Sequence, residues 1–263
     1  MNGETTLLLE KLFEPGGIHT VYQPVFDLSR GTPFPWGVEC LARGPRGTRA
    51  EPAAVLFEYV RFRRREAEMD KVCLQTALGS VGPFRDDTIF SLNVHASTLV
   101  KNAGFAPWLL RQAHEAGIAP GRIVLEIVEH CPVQDPEALA RTLVQLRAAG
   151  MRVALDDVGS GVCSLRLVAE LAPDIVKIDR FFTGSAESNP RSRSVLKTLV
   201  ELAGSVGAAV VAKGVESRAQ LSMVFAMGVR LVQGYGICEP LEMGDLIRRV
   251  PDLFTPRLEP QLS

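Results

Sequence analysis

Seven short apolar runs in this chain carry a polar or charged residue at or near their C-terminal end. Glu39 interrupts Val38-Glu39-Cys40-Leu41, Asn93 follows Phe90-Ser91-Leu92, and Glu126 lies inside Val124-Leu125-Glu126-Ile127. Asp156 and Asp157 end Val153-Ala154-Leu155, and Lys177 sits within Ile175-Val176-Lys177-Ile178. Lys213 ends Val210-Val211-Ala212 and Gln233 ends Leu231-Val232. Burying an unpaired charge is costly. A structural ion pair would account for any one of these residues, but recurrence at the same end of successive runs points to one shared site.

The donor atoms say what such a site could hold. Glu39, Glu126, Asp156, Asp157 and the side-chain carbonyl of Asn93 offer oxygen alone. That set suits magnesium or manganese rather than zinc or copper. It is also larger than one magnesium ordinarily takes from protein, and the adjacent Asp156 and Asp157 could serve two ions. Two cations about 3.5–4 Å apart clamp a displacement at phosphorus. Lys177 would add a fixed positive charge beside a phosphate or an attacking water. Arg43, four residues after Glu39, could grip a phosphate bidentately or sit as a surface arginine in a loop. Val158-Gly159-Ser160-Gly161 follows Asp157 directly, and its glycines permit close backbone approach or a mobile loop.

The elements that must position these groups alternate along the chain. Strands are predicted at His19–Phe26, Gly37–Leu41, Thr88–Val94, Ile123–Ile127, Arg152–Asp156, Ile175–Ile178, Ala208–Ala212 and Val229–Gln233. Near-continuous apolar runs suit strands buried on both faces, as in a parallel sheet. Between them lie helical patterns. Asp135-Pro136-Glu137 reads as an N-cap, an N1 proline and a first-turn acid. Leu139, Leu143 and Leu146 recur at helical spacing, and Gly150 falls where a C′ glycine belongs. Ser217 to Gln220 matches a capping box, and Pro190 to Gly207 reads as a further helix. Phe57 to Ala77 looks helical, with Arg61, Arg63, Arg64 and Arg65 as a solvated face or a ligand or partner contact. Strands alternating with helices eight times predict an α/β fold, a closed TIM-like (β/α)8 barrel. The expected organisation is a lead-in helix over residues 1–18, the barrel over 19–250 and a tail over 251–263.

Composition narrows the setting. The 263 residues, with 46% hydrophobic and 22% charged, suit one barrel with a large core. The formal net charge of -1 provides no global field for DNA or anionic membranes, so an anionic ligand needs a local site. Cys40, Cys73, Cys131, Cys163 and Cys238 are scattered, odd in number and without a C-x-x-C pair. They read as reduced thiols. Residues 1–13 mix acids and a lysine into their leucines, unlike a signal peptide, and no run approaches the roughly 20 apolar residues of a membrane helix. A cytoplasmic protein is expected, with no membrane insertion by this segment.

In order, Tyr22-Gln23-Pro24, Val38-Glu39-Cys40-Leu41-Ala42-Arg43, Ser91-Leu92-Asn93-Val94 and Leu125-Glu126-Ile127-Val128-Glu129 resemble segments of the EAL domain, a cyclic di-GMP phosphodiesterase. So do Asp156-Asp157-Val158-Gly159-Ser160-Gly161, Asp174 to Asp179, Ala212 to Glu216, Gln233-Gly234-Tyr235 and Pro240-Leu241. The resemblance implies a barrel with an antiparallel first strand and hydrolysis of cyclic di-GMP to linear pGpG. It implies that Glu39, Asn93, Glu126, Asp156 and Asp157 hold one or two magnesium or manganese ions. Lys177 would contact the attacking water or phosphate, with Glu39, Asp157, Lys177 and Lys213 the catalytic candidates. Gln23 and Arg43 would hold the ligand, Gln233 would order the metal and water shell, and Glu129, Gly159 and Gly161 would support the glycine loop. Asp179 and Glu216 lie in matching segments without an assigned role. The resemblance further implies a homodimer formed through the glycine loop and nearby helices, and a sensor or GGDEF domain elsewhere in a longer parent protein.

Two positions depart from the family pattern. Cys40 replaces an alanine of the namesake motif and is small and apolar enough to be tolerated. Lys213 stands where the family pattern, Ala-Glu-Gly-Val-Glu, has a glutamate that binds the second metal. Beside a metal that is a change of two charge units, enough to evict an ion or displace the lysine. Two readings follow: a phosphodiesterase in which Lys213 swings away or stands in for a cation, and a receptor that binds cyclic di-GMP without cutting it. Enolase-like proton abstraction is a third, and leaves Arg43, the glycine loop and the segment order unexplained.

Overall fold

In the computed structural model, residues 10–128, 133, 135–160 and 165–255 are described. Eight strands close into a barrel in sequence order: β1 (His19–Asp27), β2 (Phe34–Arg43), β3 (Ile89–His95), β4 (Ile123–Val128), β5 (Arg152–Val158), β6 (Ile175–Ile178), β7 (Ala209–Ala212) and β8 (Leu231–Val232). Every predicted strand is present. β1 runs antiparallel to both β2 and β8, while the other neighbours are parallel.

Side chains alternate between the two faces of a strand, so residues two apart share a face. Inside the barrel, Val25, Val124, Ala154, Ile175, Val211 and Leu231 pack into a buried apolar layer. Two residues further toward the mouth, on those strands or just past their ends, stand Gln23, Glu126, Asp156, Lys177, Lys213 and Gln233. The period of the strand therefore lifts the polar groups to one level, above an apolar plug that closes the lumen beneath them. The outward-facing residues, among them Phe90, Leu92, Leu125, Leu155 and Val176, join the larger core between sheet and helices.

The caps read from sequence form as expected. Asp135 accepts from the Ala138 N–H at the start of the helix Pro136–Ala148. Ser217 and Gln220 form a reciprocal capping box on the helix Arg218–Ala226. The helix Pro190–Ser205 is capped by Asn189. The helical stretch Phe57 to Ala77 belongs to two helices, Ala53–Phe62 and Glu66–Leu78, broken at Arg63 to Arg65. Arg64 takes a left-handed φ of 55°, which ends the first helix, and Glu66 and Glu68 supply the acidic first turn that favours a new helix start. The arginines there do not share one solvated face. Arg63 lies over Tyr59 and Phe62, Arg65 lies over Phe13 and pairs with Glu68, and Arg61 reaches the cavity described below. Beyond the barrel, the turn Pro251–Leu253 packs beneath it, with Leu253 fully buried and Phe254 stacked on Phe84. Among the described residues no helix is long and apolar enough to cross a membrane.

Gly214 directly follows Lys213 and has a φ of +70°, and a Cβ there would meet the Arg180 Cβ at 2.4 Å. A left-handed site with no room for a side chain tolerates only glycine at low cost. Gly214→Ala is expected to lower stability by about 1–3 kcal/mol in urea unfolding; an unchanged midpoint would show that this turn is not constrained.

Candidate active site

At the mouth, Lys177 is the centre of a buried charge cluster. Its Nζ donates to Glu39 Oε2 and to Glu126 Oε2, each at 2.6 Å, and lies 4.0 Å from Asp156 Oδ1. The lysine side chain and the two glutamates are almost wholly buried. Asn93 Nδ2 donates to Glu39 Oε1 at 2.9 Å, and Gln233 Nε2 donates to Glu39 Oε2 at 2.8 Å and to Gln23 Oε1 at 3.2 Å. Gln23 in turn donates to the Cys238 carbonyl. A second ammonium sits beside the first group: Lys213 Nζ donates to Asp156 Oδ1 at 2.7 Å and to Asp157 Oδ1 at 2.6 Å. Asp157 adopts a left-handed φ of 49°, a strained conformation for a non-glycine residue.

The electrostatics follow from burial and from these contacts. Burial alone would raise the Glu39 carboxyl, but Lys177 and Lys213 outweigh it and hold it at about 2. Glu126 is pushed up to about 8 by burial and by the neighbouring charge of Glu39, against the pull of Lys177. Burial disfavours the charge on both lysines, yet the surrounding carboxylates win and keep both ammoniums charged. The Cys40 thiol is pushed up by burial and by Glu39 and Glu126, so it stays protonated as an apolar spacer.

Glu39, Glu126 and Asp156 each present a carboxylate oxygen within 4.8 Å of the others. Those oxygens fit a hard divalent cation, and Asn93 borders them through its bond to Glu39. Gln233 Oε1 is buried without a hydrogen-bond partner, and a buried acceptor of that kind calls for a water or a ligand. The residues present therefore fit magnesium or manganese.

Two cavities meet at this cluster. One, of about 590 Å³, runs from Glu39, Asn93 and Asp156 toward Phe57 and Arg61 of the helix Ala53–Phe62. The other, of about 420 Å³, is lined by Gln23, Asp157, Arg180, Gln233 and Tyr235. Lys213 lines both.

The remaining candidates are more scattered. Arg43 shares the face of Glu39 by alternation and hydrogen-bonds the Ala42 carbonyl; it joins none of the cluster contacts described. Asp179 caps the helix Arg180–Ser185 by accepting from the Phe181 N–H, and lines the second cavity with Glu216. Gly159, at φ +100°, brings the chain against Phe182, where a Cβ would approach the ring at 2.6 Å. Glu129 and Gly161, like Cys131 and Cys163, lie outside the described residues. Cys40, Cys73 and Cys238 are free thiols.

Sequence reading missed one network. Asp70, buried in the helix Glu66–Leu78, accepts from the His95 backbone N–H at 3.0 Å, pairs with His95 Nδ1 at 2.8 Å and accepts from Thr98 Oγ1. It ties the end of β3, just beyond Asn93, to the helix lining the larger cavity. The one signal was an acid on the buried side of an otherwise apolar helical stripe.

The sequence profile of the EAL domain matches residues 8–240. The chain belongs to the EAL family. Over 255 residues it is 29% identical to "Cyclic di-GMP phosphodiesterase PA2567" of Pseudomonas aeruginosa, covering 93% of this chain and 42% of that protein. It is 29% identical to "Probable cyclic di-GMP phosphodiesterase PdeG" of Escherichia coli, covering 92% of this chain and 48% of that protein. The EAL chain thus spans under half the length of these relatives. Its fold is similar to the EAL domain of Mycobacterium smegmatis DcpA, with a TM-score of 0.74 and 27% identity over 91% of this chain and all of that one.

The raised Glu126 carboxyl makes metal-free stability depend on pH. The ordinary value is 4.5 and the folded value about 8. Between these the folded state holds a proton that the unfolded chain has released, so stability falls as pH rises through the window. Metal-free protein is expected to melt at a lower temperature at pH 8.5 than at pH 5.5, with the slope flattened in Glu126→Gln. An identical slope in that variant would remove Glu126 as the cause.

Proposed function

We propose that this EAL domain hydrolyses one phosphodiester bond of cyclic di-GMP, giving linear pGpG. The observation that carries the reading is the carboxylate cluster of Glu39, Glu126 and Asp156 at the barrel mouth, with Asn93 hydrogen-bonded to Glu39, where barrel folds keep their sites. Glu39, Asn93, Glu126 and Asp156 would hold magnesium or manganese, with Asp157 at the edge of the site. When bound, the ion supplies Lewis-acid polarisation of the phosphodiester and a source of nucleophilic water.

This chain's own residues do the rest. Lys177 keeps Glu39 ionised, pulls against the burial that raises Glu126, orients both carboxyls, and places a positive charge beside the position of the attacking water. Gln233 fixes Glu39 through its amide nitrogen and offers its free Oε1 as an acceptor for that water. Gln23 and Arg43 would contact the ligand, and Glu129, with the Gly159 and Gly161 loop, would support the Asp157 side of the mouth. The two cavities, which meet at the cluster, suit a ligand with a base at each end and phosphates between. Pairing through the glycine loop would make a homodimer, and a sensor or GGDEF domain in a longer parent would supply the input.

The second reading, a receptor that binds cyclic di-GMP without cutting it, is favoured by one observation: Lys213 occupies the Asp156–Asp157 pair. Chromatography of pGpG after incubation with manganese and cyclic di-GMP separates the two. The native domain is expected to turn the substrate over, and Lys177→Met to lose at least about 10²-fold in kcat, the scale for removing an electrostatic stabiliser. Binding with no pGpG would establish the receptor reading, and absence of both would remove the ligand assignment.

A further inference from the structure

We infer that the Lys213 ammonium is a resident cation of this mouth, built into the protein where a second divalent ion would otherwise sit, so that the domain takes one ion per chain. The inference rests on the metal-assisted reading above and assigns this chain's departure at Lys213 a definite role.

Geometry comes first. Lys213 Nζ lies between Asp156 and Asp157, bonded to one oxygen of each. Asp156 is shared: its carboxylate also belongs to the Glu39, Glu126 and Asp156 group that fits a cation. An ion held by that group leaves Asp157 as the next carboxylate available to a second ion, and Asp157 is engaged by the ammonium. The lysine is also anchored. Its backbone N–H donates to the Ile178 carbonyl at 3.3 Å, the Val215 N–H donates to the Gln233 carbonyl at 3.1 Å, and Gly214 between them is pressed against Arg180. The Lys213 side chain is only 20% exposed, so withdrawing it would cost two charge-assisted bonds and leave two carboxylates facing each other.

Charge balance points the same way. Glu39, Glu126, Asp156 and Asp157 contribute four negative charges when ionised, and Lys177 and Lys213 two positive ones. The remaining two are neutralised by one divalent ion. A second ion would have to enter a site already balanced and beside an ammonium. Because Lys213 lines both cavities, a phosphodiester spanning them would meet the ammonium near its middle. Lys213 then serves as both the limit on metal loading and a positive charge toward the ligand.

The test is manganese stoichiometry, read by titration calorimetry and by the electron paramagnetic resonance of bound manganese. The native domain is expected to bind one ion per chain with the six-line spectrum of an isolated ion. Lys213→Glu, which removes the positive charge and adds a carboxylate, is expected to bind two ions with a spin-coupled spectrum. Asp157→Asn in the native background is expected to keep one, which holds the test open if Lys213→Glu fails to fold. Two coupled ions on the native chain, or one on a folded Lys213→Glu, overturns the role given to Lys213. A native chain that binds no manganese overturns the metal-assisted reading as well.

Discussion

A buried ammonium between two buried glutamates is the constraint on which this mouth depends. The apolar layer beneath the cluster admits no solvent to share the charge of Glu39 and Glu126. Lys177 supplies that compensation from within, at 2.6 Å from each. Such an arrangement is weak evidence for stability, because desolvating three charges offsets much of their attraction. What it does secure is position. Both carboxylates are fixed by a side chain that cannot relax toward water, and Asn93 and Gln233 hold Glu39 from two further directions. A ligand or ion arriving here meets groups already aimed, so little reorganisation remains.

Lys213 extends the same logic to the rim. Its partners are a buried and a half-exposed aspartate, so its contacts are screened more than those of Lys177. The left-handed turn at Asp157 is the backbone feature that brings both carboxylates to one ammonium. In the proposed function, the two lysines divide the work: one orients the carboxylates, the other sets how much positive charge the mouth will accept.

Much of this was legible in sequence because a strand has a period of two. Glu126 follows Val124, Asp156 follows Ala154 and Lys177 follows Ile175, so one apolar layer and one polar layer are written into the same runs. The caps at Asp135 and Ser217 were legible because capping is local chemistry. The break at Arg63 to Arg65 was not, since no glycine or proline marks it and the left-handed residue is an arginine, Arg64. Asp70 with His95, and Lys213 with its aspartates, were also out of reach. These pairs are 25, 56 and 57 residues apart, and only the closed barrel decides which side chains meet. Sequence exposed the charge conflict at Lys213; the fold resolves it as an ion pair.

The most direct test of the central constraint is a mutant cycle on the metal-free domain, read by equilibrium unfolding. Lys177→Met should cost about 3–5 kcal/mol, since it strands buried carboxylates without a partner. Read above pH 8, where Glu126 is ionised in the native domain, adding Glu126→Gln to it should recover part of that loss, because the neutral amide no longer needs the ammonium. Strictly additive effects would contradict the account, showing that Lys177 does not hold the cluster together.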